Sequence, residues 1–308
     1  MNRLNTNLFS ILTLGLLLCS CKTTNEKDID YQISLAQWSH HKAFFEGEYS
    51  TLDFPRIASE NYNIKAIEYV NQFFKDKARD FNYLQQLKDS CKKYDVTSVL
   101  IMVDGEGSLS SSNKEERQKA VHNHHKWVDA AKFLDCHSIR INLHGDVETE
   151  EEWVKNSIAG LTELVKYGES KKINIIVENH GQWSSKGKLV KAIMDSINNP
   201  YCGTLPDFGN FCVRRRDGDL WVSPCVEWYD RYAGVEEMLP YAKGISAKSF
   251  DFDSLGNETS TDFSKMLTLA KNAKYTGYIG IEYEGEKMSE KNGIIATKAL
   301  LEKLKTEL

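Results

Sequence analysis

The stretch Ile173-Asn174-Ile175-Ile176-Val177-Glu178-Asn179-His180-Gly181 decides how the rest of the chain is read. Its β-branched run does not alternate with polar residues, which marks a strand covered on both faces, as in a parallel sheet under helices. It ends abruptly in an acid, an amide and an imidazole, and a helical pattern follows at Leu189–Ile197. That is one strand–helix unit with polar groups at the strand's C-terminal end. The unit recurs in both directions. Strands are expected at Ile33–Trp38, Ala66–Asn71, Ser98–Asp104 and Ser138–Leu143 before it, and at Cys202–Phe208, Gly244–Ser249 and Tyr278–Tyr283 after it. Helices are expected at Phe54–Tyr62, Asp80–Tyr94, Lys114–Leu134, Thr149–Ser170, Val226–Tyr241, Asp262–Ala273 and Gly293–Lys305. Strands separated by helices pair in parallel with right-handed crossovers. Eight units predict an α/β fold, a single-domain (β/α)8 TIM barrel. No GxGxxG follows the first strand, which argues against a dinucleotide-binding sheet.

The chain has 308 residues, 41% of them hydrophobic, and a net charge of −5. An acidic chain of this kind offers no basic field to nucleic acid or to an anionic membrane.

Arg3 precedes an apolar run from Leu8 to Leu18, too short to span a bilayer and of the length of a secretory signal. It ends in Leu18-Cys19-Ser20-Cys21, which resembles the lipobox of bacterial lipoproteins. The resemblance implies lipid on Cys21, export to the periplasm or an envelope membrane face, and membrane attachment through that lipid only. Residues 1–20 are then a signal peptide, 21–31 a polar tether and 32–308 the barrel. Of seven cysteines, Cys19 leaves with the signal and five remain beyond Cys21. Cys212 and Cys225 flank one loop, so a disulfide is permitted in an oxidising compartment, but buried free thiols are the expected state.

In a barrel of this type chemistry gathers at the C-terminal strand ends, on residues of inward parity. Glu68, Asp104, Asn142 with His144, Glu178 with His180, Asp207 with Asn210, Ser246 with Lys248, and Glu282 with Glu284 form that ring. Any one of them has a bland alternative, such as a helix cap or a hydrogen-bonded polar group. Three acids converging on one mouth repel unless a cation sits among them, which points to a divalent metal such as Mn, Mg, Co or Zn.

The segments Glu178-Asn179-His180, Asp207-Phe208-Gly209-Asn210-Phe211, Ser246-Ala247-Lys248-Ser249 and Gly280-Ile281-Glu282-Tyr283-Glu284-Gly285 resemble the xylose-isomerase-like TIM-barrel superfamily, more narrowly its sugar phosphate isomerase/epimerase branch. Ser34-Leu35-Ala36-Gln37-Trp38-Ser39 fits the same branch. The resemblance implies metal ligands at Glu178, Asp207 and Glu282, with Ser246 and Asn210 standing where relatives carry histidines. It further implies proton transfer by Glu178 and Glu282 on opposite faces of a ketose, through an enediolate, and an active-site role for His144. His144 alternatively caps the fourth helix. Lys248 either places positive charge near the developing oxyanion or pairs with Asp207 or Glu284. Trp38, His40, His180, Trp183, Asn210 and Glu284 are expected to line the sugar site, with aromatic core packing as the alternative for the tryptophans. Arg214-Arg215-Arg216 lies in a loop that either grips an anionic or glycosidic substituent or is simply solvated.

The expected function is therefore a metal-dependent isomerase or epimerase of a small sugar or keto-sugar. A lyase or hydrolase of 3-keto-glycosides would use the same carbon-acid step. A carbohydrate-binding lipoprotein with a decayed site is the non-enzymatic alternative. Endonuclease activity is disfavoured by the acidic charge and the missing histidines.

Overall fold

A computed structural model describes residues 29–308; the expected signal peptide, Cys21 and nearly all of the tether lie outside the described residues. The barrel strands are β1 (Gln32–Ala36), β2 (Ala66–Val70), β3 (Thr97–Val103), β4 (Ser138–Ile141), β5 (Asn174–Glu178), β6 (Cys202–Leu205), β9 (Ile245–Ser249) and β10 (Tyr278–Tyr283). Between β6 and β9 lies a separate two-stranded ribbon, β7 (Cys212–Arg215) and β8 (Cys225–Trp228). The helices are α1 (His41–Phe45), α2 (Phe54–Tyr62), α3 (Phe81–Tyr94), α4 (Lys114–Phe133), α5 (Glu150–Lys171), α6 (Gly187–Ile197), α7 (Arg231–Met238), α8 (Phe263–Asn272) and α9 (Glu290–Glu307).

The eight barrel strands form one parallel sheet in the order β6-β5-β4-β3-β2-β1-β10-β9. The two outer strands, β6 and β9, meet through a short seam. Bridges join Thr204 to Ala242 and Asp207 to Ser246, and the Ser246 amide donates to Pro206 O at 2.9 Å. The result is a single-domain (β/α)8 barrel.

Most of the core lies between strands and helices, where Trp127, Trp153, Tyr69 and Phe54 are fully buried. A smaller cluster contains Ala36, Ala66, Val70, Val99, Leu100, Met102, Ile176 and Leu205; all but Val99 share the parity of the site acids and fill the barrel interior. Gly280 lets Glu68 reach into that interior, because a Cβ there would stand 2.6 Å from Glu68 Oε1. No helix among the described residues is long and apolar enough to cross a membrane.

Two expectations are corrected. The segment Val226–Tyr241 is not one helix: its first residues form β8 against β7, and α7 starts only after Asp230, whose carboxylate caps the amides of Tyr232 and Ala233. Val226, Trp228 and Tyr229 are strand formers, and antiparallel pairing outweighs the helical pattern. Cys212 and Cys225 are not free thiols but a disulfide with Cα atoms 5.8 Å apart. In the ribbon Cys212 stands opposite Trp228 and Cys225 opposite Arg215, and the irregular register between them brings the two cysteines within bonding reach, which composition could not show. Cys91, Cys136 and Cys202 are buried and free.

Candidate active site

Glu178, at the end of β5, Asp207, just after β6, and Glu282, in β10, each present an oxygen within 4.8 Å of the others. The backbone is locked to keep them there. The Asn179 side chain donates to Asp207 O at 3.0 Å and accepts from the Asp207 amide at 2.7 Å, tying the end of β5 to that of β6. Asp207 Oδ1 accepts the amides of Gly209 and Asn210, both at 2.8 Å, and Oδ2 accepts from Ser246 Oγ at 2.6 Å. Asn210 Nδ2 donates to Glu178 Oε1 at 3.1 Å.

Two buried cations serve this cluster. Arg140 in β4 donates from Nη1 to Asp104 Oδ1 at 2.7 Å, and its Nε lies 2.7 Å from Glu178 Oε2. The latter contact is ionic and poorly aligned, so Glu178 Oε2 accepts no directed hydrogen bond although it is buried. Lys248 Nζ lies 3.0 Å from Glu282 Oε1, 3.1 Å from Glu284 Oε1 and 3.9 Å from Asp207 Oδ2. Its stem runs against Gly209, where a Cβ would meet Lys248 Cδ at 2.8 Å.

Five carboxylates thus share two cations. Burial, then repulsion from Glu282 and Asp207, pushes Glu178 well above the usual carboxylate range against the pull of Arg140. Burial raises Asp207 to about 6 despite Lys248. Burial would also raise Asp104, but the Arg140 guanidinium outweighs it and holds that carboxyl low. Burial disfavours charge on His144 and His180, and for His180 nearby Arg140 adds to the effect, so both imidazoles are neutral near pH 7. A site short of positive charge, with three hard oxygen donors and one orphaned buried oxygen, fits a divalent cation. Glu178, Asp207 and Glu282 would hold it. Asp207 and Ser246 are engaged with each other through the Ser246 hydroxyl.

Above the cluster opens a cavity of about 660 Å³. Trp38, His144, His180, Asn210, Lys248, Glu282 and Glu284 line it, together with Asp104, Arg140 and Asn142. Glu178 and Asp207 lie behind Asn210 and Lys248, almost without solvent exposure. Both readings of Lys248 meet in one geometry, since it pairs with the acids and also faces the cavity. His144 lines the cavity rather than capping a helix: the N-cap of α5 is Thr149, which accepts the Glu152 amide.

Two residues named from sequence stand elsewhere. β1 stops at Ala36, and the 3-10 turn Gln37–His40 that follows puts Trp38 on the cavity but turns His40 away from it. His40 is buried against Tyr62 OH at 2.8 Å, away from the cavity. A second such turn, Gln182–Ser185 after Gly181 at φ +90°, carries Trp183 outward, where its Nε1 donates to Val147 O at 3.3 Å. Arg140 was missed by sequence reasoning. Its signal was an arginine inside the apolar run Ser138-Ile139-Arg140-Ile141, on the parity of Asn142. An unpaired charge there is too costly to be incidental.

Residues 56–305 match the model of the xylose isomerase-like TIM barrel family, and the chain belongs to that family. No curated protein matches the sequence directly. Among solved structures the chain is similar to an IolI protein with a bound zinc atom, at 12% identity and TM-score 0.68 over 90% of this chain and 98% of that one. It is similar to 3-keto-D-glucoside 4-epimerase from E. coli, at 11% identity and TM-score 0.68 over 89% of this chain and 100% of the other. A D-tagatose 3-epimerase-like protein aligns at 18% identity and TM-score 0.66 over 89% and 96% of the two chains. At these identities the likeness is one of fold.

Proposed function

We infer that the protein is a carbohydrate isomerase or epimerase that moves a proton at the carbon beside a carbonyl, with a divalent metal in the acid cluster. The observation that carries the reading is the convergence of Glu178, Asp207 and Glu282 under a cavity of neutral imidazoles, amides and aromatic faces. The sugar epimerase activities named for similar folds support it.

A divalent cation held by Glu178, Asp207 and Glu282 would supply Lewis acidity toward a ketose carbonyl. The chain's own residues do the rest. Glu282 faces the cavity and can take a proton from the substrate carbon, and Glu178, with an oxygen within 4.8 Å, is the second acid of the pair. Lys248 and Arg140 keep positive charge beside the oxygen that becomes negative. His144 and His180, uncharged, hydrogen-bond sugar hydroxyls as donors or acceptors.

The proposed export and lipidation at Cys21 rest on the sequence, and the Cys212–Cys225 disulfide supports an oxidising compartment. A protein so placed meets free keto-sugars and keto-glycosides rather than phosphorylated sugars. The test is metal content of the purified protein, followed by deuterium uptake from solvent into carbon across a panel of keto-sugars. Metal together with carbon-bound deuterium is expected; binding without exchange would leave only a sugar-binding barrel.

A further inference from the structure

The ribbon β7–β8 stands at the rim of the cavity, and it is built as a wall. Cys212–Cys225 crosslinks its strands, Ser185 Oγ donates to Cys212 O at 3.1 Å, and the Tyr229 amide donates to Phe211 O at 2.9 Å. Its tip is closed by Asp219, which accepts the amides of Trp221 at 2.8 Å and Val222 at 2.5 Å. Two large apolar side chains on this wall, Trp221 and Trp228, line the cavity while remaining 46% and 57% exposed. Trp221 packs on His180 with ring centroids 4.6 Å apart, and its ring lies 3.5 Å from where a Cβ on Gly181 would be. An indole held rigidly but left half in water has a free face.

The cavity therefore has two chemically distinct halves. The inner half carries Arg140, Lys248, Glu282 and Asn142; the outer half carries Trp221 and Trp228. The arginine run contributes one side chain to the lining, Arg215, whose Nε and Nη1 are tied to Leu220 O at 2.8 Å and Ser223 O at 2.6 Å. Arg214 and Arg216 lie outside the lining and face Glu227 and Asp217. What the outer half offers is a flat apolar surface, which suits the face of a second ring.

We propose that the ribbon forms a subsite for a neutral ring aglycone, so that the substrate is a glycoside whose sugar sits over the acid cluster and whose second ring stacks on Trp221 and Trp228. This rests on the carbohydrate reading above and names the substrate class it left open. The second ring is an aryl group or another pyranose; both present the same flat face.

The test is calorimetric binding of three probes, the methyl, phenyl and β-glucosyl glycosides of 3-keto-D-glucose, to the metal-loaded protein and to Trp221→Ala and Trp228→Ala. The ring-bearing probes should bind at least tenfold more tightly than the methyl glycoside. One or both variants should erase that advantage, bringing the ring-bearing probes down to the affinity of the methyl glycoside. A phenyl advantage without a glucosyl one assigns the subsite to aryl aglycones, and the converse to disaccharides. Equal binding of all three probes by the wild type, or equal losses for all three in the variants, overturns the subsite. Deuterium exchange into the methyl probe would show that the catalytic reading survives that result. Absence of binding and exchange with every probe sinks both.

Discussion

Lys248 Nζ sits 3.0 Å from Glu282 Oε1, on the carboxylate that a divalent ion would also need. An ammonium and a divalent ion drawn to the same carboxylate repel each other, and Lys248 together with Asn210 covers the deeper acids. Replacing the ammonium by an apolar side chain of similar length uncovers the acid cluster. Lys248→Met should bind Mn²⁺ or Zn²⁺ at least tenfold more tightly than the wild type by calorimetry, while losing activity. Unchanged or weaker affinity would mean that ion and lysine occupy the site side by side.

Glu178→Gln and Glu282→Gln preserve shape and remove a basic oxygen. Each should lower carbon-bound deuterium exchange roughly 10²–10⁴-fold through lost acid–base work. Because five carboxylates share two cations, removing one acid relieves repulsion, and the metal-free melting temperature should hold or rise. A structural role for either residue would show the opposite pattern, marked destabilisation with exchange intact.

Glu68 makes stability depend on pH. It is fully buried, Ser34 Oγ donates to its Oε1 at 2.6 Å, and Oε2 has no partner. Burial raises its carboxyl from 4.5 to about 7, against the Ser34 hydrogen bond. The native state therefore holds this proton more tightly than the unfolded chain does. Stability from this group is complete below the unfolded value and is lost as pH climbs towards 7. One such group contributes a slope of up to about 1.4 kcal/mol per pH unit in that window. Denaturant melts of metal-free protein between pH 4.5 and 7.5 should show a shallower decline for Glu68→Gln than for the wild type. Parallel curves would remove Glu68 from the account.

The anchor is testable by cell fractionation. If Cys21 carries lipid, Cys21→Ser should move the protein from the membrane fraction to the soluble one. A variant that stays with membranes, alongside a wild type free of lipid by mass spectrometry, would dispose of the idea.

How much of this was readable from sequence depends on how local the cause is. The apolar run Ile175–Val177 and its repeats gave the barrel, because burial on both faces writes itself into consecutive residues. Glu178 and Glu282 were legible as acids after apolar residues, whereas Asp207 joined them through its parity and the family resemblance. His40 and Trp183 were misplaced because a 3-10 turn after a strand sends neighbouring side chains different ways, Trp38 of the first turn into the cavity and His40 into the core. The Cys212–Cys225 bond and the ribbon depend on pairing across a loop, a relation between distant positions that no window of sequence contains. Arg140 was visible but its partners Asp104 and Glu178 come from neighbouring strands on either side, so its role emerged only with the sheet order.

The seam between β6 and β9 gives the acid cluster a second consequence. Asp207 stands on one edge of that slit, while Ser246 and Lys248 stand on the other edge, with Glu282 one strand further. Few backbone bonds hold the edges, among them those of Ser246 with Pro206 and Phe208. Anything that grips Asp207 and Glu282 together acts as a hoop drawn round the staves, and it tightens where the cylinder is least fastened. Occupancy should then register as slowed amide exchange at Ser246 and Phe208, so the backbone itself reports whether the site is filled.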